Sequence, residues 1–389
     1  MIYLDNAATT ELDPAVLDVM MPYLKTEYGN AGSMYELGRK ARNAVENARE
    51  QVARFLNAEP EQIIFTSSGS EANNLAILGL RDHLLSTGKT EIITTPVEHM
   101  SVLNPINELC IKHGFHSHFL PTFSDKLLRT VDFNSAINEN TGLVSVMYSN
   151  NETGLVSPIK KVGKICSQKG ILFHTDCVQA AGCYELDVKK FNCDTLSISA
   201  HKIHAPKGVG ALYVKNKDFY SPVIFGGSGQ EFGLRAGTEN VAGIVGFGYM
   251  CELIGEVFKS HSEYLSSLKN MFYNELKKEL AAYELGDIMH LNASHDKSSG
   301  KTLNIRFNGI DGQTLLLLLD KAGVCVSSGS ACSGSETTAS HVLLAMGISE
   351  EDAANSIRIS FSASNNEDEV VNAAHILANC VKELHGVKD

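Results

Sequence analysis

The chain has 389 residues, 43% hydrophobic and 20% charged, which is enough for two domains of ordinary size with a substantial core and too apolar for a disordered chain. Its formal charge of −12 opposes nonspecific attraction to nucleic acid or an anionic membrane surface and favours small molecules and protein partners. Nine cysteines without a CxxC pair argue against a metal site of ordinary spacing or a redox dithiol, and for reduced thiols.

The opening "MIYLDNAATT" carries no basic segment followed by an apolar stretch, so no signal peptide is expected. No apolar run approaches the roughly 18 residues of a membrane span, and the expected location is cytoplasmic. From Glu36 to Leu56 apolar residues recur at steps of three or four, which predicts one amphipathic helix. Short apolar runs follow, "QIIFTS", "EIITTP", "LVSVMY", "GILFHTD" and "TLSISA", separated by predicted helices such as 71–85 and 159–168. That alternation predicts an α/β fold with a mostly parallel sheet between helices, whose ligands bind beyond the carboxyl ends of the strands. A long helical stretch over 241–280 leads into a smaller mixed α+β unit. The boundary is placed near Phe258, giving a large domain over 14–258 and a small one over 1–13 and 259–389.

Polar residues collect just after the predicted strands. "SGSE" (68–71) is a glycine loop feeding a helix whose free amides suit a phosphate, although Ser70 also reads as a plain N-cap. His99 follows the next strand, and Asn150 and Asn151 open the turn-like "NNETG". "GILFHTD" ends in Asp176, with Gln179 three residues on, and "TLSISAHK" ends in Ser199, His201 and Lys202. A lysine at the mouth of a sheet is partly desolvated, which lowers its pKa and makes the amine a nucleophile, whereas Lys207 reads as solvent exposed. One cofactor needs all these groups together: pyridoxal 5'-phosphate takes a lysine for its Schiff base, a carboxylate for its ring nitrogen, donors for its phosphate and a flat group over its ring. Finally "CVSSGSACSGSETT" (325–338) sets Cys332 in a Gly/Ser run with little to pack it, as a thiol that must travel would require.

These stretches, with "YLDNAATT", "GNAGS", "SAHKIHAPKGVGALYV", "GGSGQEFGLRAGT", "SSGSACSG" and "SIRISFS", closely resemble the cysteine desulfurases, a class V branch of the fold-type I pyridoxal-phosphate enzymes. The resemblance implies a seven-stranded central sheet, Lys202 as the cofactor-binding lysine and Cys332 as the sulfur carrier. It implies that Gly69, Ser70, Ser199 and His201 bind phosphate, that His99 stacks on the ring and helps move protons, and that Asp176 pairs with the ring nitrogen. Asn151 would lie near the ring substituents and the substrate, Gln179 near the phenolic oxygen, and Arg358 would grip the substrate carboxylate, a task suited to its planar fork. Thr238 would reach the phosphate of the other subunit in a homodimer. Implied activity is conversion of L-cysteine to L-alanine with a persulfide left on Cys332 for an acceptor protein, an iron-sulfur scaffold or a sulfur carrier. Selenocysteine lysis or another class V reaction is the alternative. Cys325 is expected to be packed and not a second nucleophile.

Overall fold

The computed structural model describes residues 1–227, 229–328 and 339–386. In chain order its strands are β1 (Ile2–Tyr3), β2 (Ile63–Thr66), β3 (Glu91–Thr94), β4 (His116–Phe119), β5 (Thr141–Ser145), β6 (Leu172–Asp176), β7 (Thr195–Ser199), β8 (Gly210–Val214), β9 (Met289–Leu291), β10 (Thr302–Phe307), β11 (Val324–Cys325) and β12 (Ser356–Ser360). The helices are α1 (Pro14–Lys25), α2 (Glu36–Leu56), α3 (Gly69–Leu78), α4 (Arg81–Thr87), α5 (Met100–His113), α6 (Thr130–Ala136), α7 (Ile159–Lys169), α8 (Val188–Phe191), α9 (Val241–Ala282), α10 (Gly312–Lys321), α11 (His341–Ala345), α12 (Glu350–Ala354) and α13 (Glu367–His385).

Seven strands form the main sheet in the order β2-β8-β7-β6-β5-β3-β4. Pairings from β4 to β7 are parallel, while β8 runs antiparallel to both β7 and β2. Successive residues point to opposite faces, and both faces are buried. Ile92 and Leu143 pack with α3 and α5 on one side, whereas Ile93, Val144 and Phe173 join the core formed with α1, α2 and the start of α9 on the other. This is why the strands read as continuous apolar runs. A three-stranded sheet, β12-β10-β9, carries a second core with α10 and α13. The amino terminus belongs with it, since β1 pairs in parallel with β11.

Helix α9 has 42 residues and connects the two cores. Ile244, Phe247, Met250, Cys251 and Ile254 pack in the first, and Leu265, Leu268, Phe272, Leu276 and Leu280 in the second. Phe258 lies within this unbroken helix. By length and composition α9 is apolar enough to cross a membrane, with a mean hydropathy of 1.5 over its best window, and half of that window is buried inside the protein.

One local expectation is corrected, and one strand was not anticipated. The helix expected over 71–85 is two helices, because Ser221 N–H takes the Gly79 carbonyl at 2.9 Å and diverts the chain between α3 and α4. Strand β4, "HSHF", has no apolar signature, being largely exposed at the sheet edge and held there by pairing with β3.

The opposite edge, β2, is closed by side chains. Arg49 of α2 donates to the Ile63 carbonyl at 2.8 Å, and Glu231 accepts from Phe65 N–H at 2.7 Å. The two residues form a two-pronged ion pair, both contacts 2.8 Å, with only 4% of either side chain exposed. Arg49→Met strands a buried carboxylate and is expected to destabilise the fold by about 3–5 kcal/mol. The loss should be smaller when Glu231→Leu is added, a difference that denaturant unfolding of the two proteins measures.

Candidate active site

A cleft of about 420 Å³ lies beyond the carboxyl ends of the main strands. Strand β7 ends at Ser199, and the chain tightens into a single turn, Ala200–Lys202, which sets the Lys202 side chain on the cleft wall. Its ammonium donates to the carbonyls of Ala7 and Ala8 at 2.7 and 2.6 Å, so the amino-terminal segment forms part of the site. Gln179 Nε2 also donates to the Ala7 carbonyl, at 2.9 Å. Lys207 is exposed and does not line the cleft.

Ser68, not Ser70, caps α3: its Oγ accepts from Glu71 N–H at 3.1 Å, and Ser70 is the second residue of the helix. The first-turn amides of Gly69 and Ser70 have no acceptor within the helix, and both residues line the cleft. Gly69 has no room for a side chain, since a Cβ there would stand 2.7 Å from Val178 Cγ2 and 3.2 Å from Ser199 Cβ. Ser199 Oγ and Gln179 Oε1, both buried cleft atoms, have no hydrogen-bond partner among the described residues. Buried polar atoms of this kind call for a ligand or water. Two helix-start amides beside an unpartnered hydroxyl suit a phosphate.

Asp176 ends β6, 6% exposed, and orients both carboxylate oxygens on donors: Val178 N–H at 2.9 Å and Asn73 Nδ2 at 2.7 Å. Its strand neighbour His174 bridges Ser145 and Ser197, and burial pushes its pKa down to about 3, so it is a neutral core link. His99 caps α5 through Nδ1, which accepts from Ser101 N–H at 3.1 Å. His201 meets Thr9 Oγ1 at 3.1 Å, and its pKa falls to about 4 because it is buried and because Lys202, Lys207 and Lys301 are cationic neighbours. A neutral imidazole there offers a hydrogen bond without a charge.

Arg358, on β12, comes from the second core to the same cleft. Its Nη2 donates to Asp5 Oδ1 at 2.8 Å and its Nη1 to the Asn151 carbonyl at 3.1 Å, while the buried Nε has no partner among the described residues. Thus Gly69, Ser70, His99, Asn151, Asp176, Gln179, Ser199, His201, Lys202 and Arg358 share one cavity. Thr238 is exposed and lies in a separate depression with Ser67 and Arg235. Cys332 lies outside the described residues. Cys325 is half-buried on β11, and burial raises its thiol pKa, which makes it a poor nucleophile.

Sequence reading missed several partners. Burial would raise the Glu71 pKa, but hydrogen bonds from Arg235 and Ser67 hold it below the ordinary value, tying the start of α3 to the segment that carries Thr238. Glu98 is buried beneath the site, and desolvation raises its pKa to about 8 despite hydrogen bonds from Met147 N–H and Thr95. Glu152 is likewise raised by burial, to about 7, and its carboxylate accepts from Ser340. Asn73, one helical turn after Gly69, had a usable signal: positions three and four apart on a helix share a face.

The protein-family model for class-V aminotransferases matches residues 2–372. A relative from Clostridium botulinum named cysteine desulfurase IscS is 42% identical over 384 residues, covering 98% of this chain and 94% of its own. Among solved structures, a NifS-like protein superposes with a TM-score of 0.88 at 34% identity, covering 97% of this chain and 98% of that one. A structure described as SspA in complex with cysteine gives 0.78 at 33% identity, covering 93% and 99%. A matching family model over nearly the whole chain and a relative of this identity and coverage leave one assignment: the chain belongs to the class-V aminotransferase family and, within it, to the cysteine desulfurases.

Proposed function

We propose that the protein is a pyridoxal 5'-phosphate-dependent cysteine desulfurase that converts L-cysteine to L-alanine and takes the sulfur onto Cys332 as a persulfide. The observation that carries this reading is the single cleft that gathers Lys202, Asp176, His99, the start of α3 and Arg358, with Ser199 Oγ and Gln179 Oε1 in its wall unpartnered among the described residues. These residues fit the cofactor. Gly69, Ser70, Ser199 and His201 would hold the phosphate, Asp176 would pair with the ring nitrogen, Gln179 would serve the phenolic oxygen and His99 would stack on the ring. When bound, the cofactor supplies an electron sink for negative charge at the substrate α-carbon.

The chain's own groups do the rest. Arg358 binds the substrate carboxylate, which fixes the amino acid in register with the Lys202 amine. Lys202 takes the α-proton and returns a proton to the carbon skeleton, a role for an amine already partly withdrawn from water. The Cys332 thiolate attacks the substrate sulfur: an S–S bond forms, the Cβ–S bond breaks, and the carbon fragment keeps the electron pair and gains a proton to become alanine. Ser327 is bridged to Arg358 beside the cleft, and a run of five residues from Ser327 to Cys332 spans at most roughly 18 Å.

The same reading divides the chain into a large domain over 14–258 and a small one over 1–13 and 259–389. It makes the working molecule a homodimer in which Thr238 serves the partner's phosphate site, in keeping with its exposure and its separation from the cleft of its own chain. An acceptor protein removes the persulfide sulfur. The test is direct: the protein loaded with pyridoxal phosphate and given one equivalent of L-cysteine should yield alanine and a Cys332 peptide heavier by one sulfur atom. Alanine without that modified peptide overturns the role of Cys332, and no alanine overturns the activity.

A further inference from the structure

Asn73 has no assigned task in the proposed reaction, yet it is a polar side chain on α3, 1% exposed, in the wall of the same cleft. Its Nδ2 donates both to Asp176 Oδ2 at 2.7 Å and to Ser101 Oγ at 2.8 Å. Ser101 Oγ in turn lies 2.7 Å from His99 Nδ1. The direction of this chain is determined by its donors. An amide NH₂ only donates, so Ser101 Oγ accepts from Asn73 and turns its single hydrogen to His99 Nδ1. That nitrogen also receives Ser101 N–H, so it is an acceptor, and the neutral ring carries its proton on Nε2. The Asn73 Oδ1 atom is buried without a partner among the described residues, and turning the amide over would set that oxygen against the Asp176 carboxylate. An uncompensated acceptor is tolerated here because the two donors are both engaged.

The geometry points to Asn73 as a positioning residue: one amide group orients both the Asp176 carboxylate and, through Ser101, the His99 ring. The inference rests on the desulfurase reading only for its consequences in turnover, because the hydrogen-bond chain belongs to the protein alone.

The test uses ¹⁵N-histidine-labelled protein without cofactor, with the His99 resonances assigned from their absence in His99→Asn. Wild type should show an acceptor Nδ1 and a protonated Nε2, and Asn73→Leu, which keeps the volume but loses the donors, should shift the Nδ1 resonance towards that of an acceptor with one donor fewer, because the Ser101 hydroxyl is no longer held on it while the Ser101 N–H keeps the tautomer. Removing a hydrogen bond to a charged group should also weaken pyridoxal phosphate binding by about tenfold, read by absorbance titration. In turnover, kcat should fall with KM for cysteine little changed. Wild-type imidazole shifts or wild-type cofactor affinity in Asn73→Leu, with only a lower melting temperature, would reduce the residue to core packing and overturn the inference. Should Asn73→Leu fail to fold, Ser101→Ala carries the test, and unchanged His99 shifts there overturn it equally. A wild-type protein that takes up no pyridoxal phosphate would sink the proposed function, while the cofactor-free shifts would still decide the role of Asn73.

Discussion

Lys202→Ala is expected to abolish alanine formation, lowering kcat by about 10³-fold or more, because a positioned acid–base group alone contributes about 10²–10⁴. The variant should still take up pyridoxal phosphate through the start of α3, Ser199 and Asp176, but borohydride should then fix no cofactor to the protein. In wild type the fixed label should map to the Lys202 peptide. A second variant separates chemistry from architecture. The ammonium also ties the amino-terminal segment to the site through the Ala7 and Ala8 carbonyls, and arginine can keep such donation while remaining charged at any working pH. Lys202→Arg should therefore be as inactive as Lys202→Ala while restoring any lost thermal stability. Activity recovered in the arginine variant would mean that the lysine serves only as a structural tie.

Arg358→Lys is expected to raise KM for cysteine by about 10- to 100-fold with a smaller fall in kcat, as a two-pronged contact to a carboxylate is replaced by a point charge. Arg358 is held rigidly before substrate arrives: its side chain is 3% exposed, one nitrogen is on Asp5 and another on the Asn151 carbonyl. On the proposed reading a substrate carboxylate shares the guanidinium with Asp5. Asp5→Asn keeps a hydrogen-bond acceptor but removes the competing charge, and should lower KM by about three- to tenfold. Steady-state alanine production across the two variants checks both directions. An unchanged KM in Arg358→Lys, with a lower unfolding temperature, would assign the arginine to holding β12 against the amino terminus.

The pattern of these expectations reflects how the site is encoded. Lys202, Asp176, His99 and the Gly69–Ser70 turn were legible because each lies at the carboxyl end of an apolar strand or within five residues of it, and a parallel sheet brings its strand ends to one side. Their grouping follows from alternation of strand and helix, a local property of the chain. Nothing local links Asn73 to Ser101, or Asp5 to Arg358, which stand 353 residues apart. The same holds for the carbonyls of Ala7 and Ala8, which as backbone atoms carry no residue-type signal and became part of the site only when β1 paired with β11.

Sequence alone therefore determined the sheet's strands, save the exposed edge strand β4, the long helix α9 and the identity of the chemical groups, because hydrophobic periodicity and strand-end polarity are short-range. It could not place the break between α3 and α4, which a carbonyl captured by Ser221 produces, nor the closure of the β2 edge by Arg49 and Glu231. Tertiary structure decided which way each functional side chain is held, since buried donors and acceptors must find partners wherever the fold supplies them, and those partners are distant along the chain.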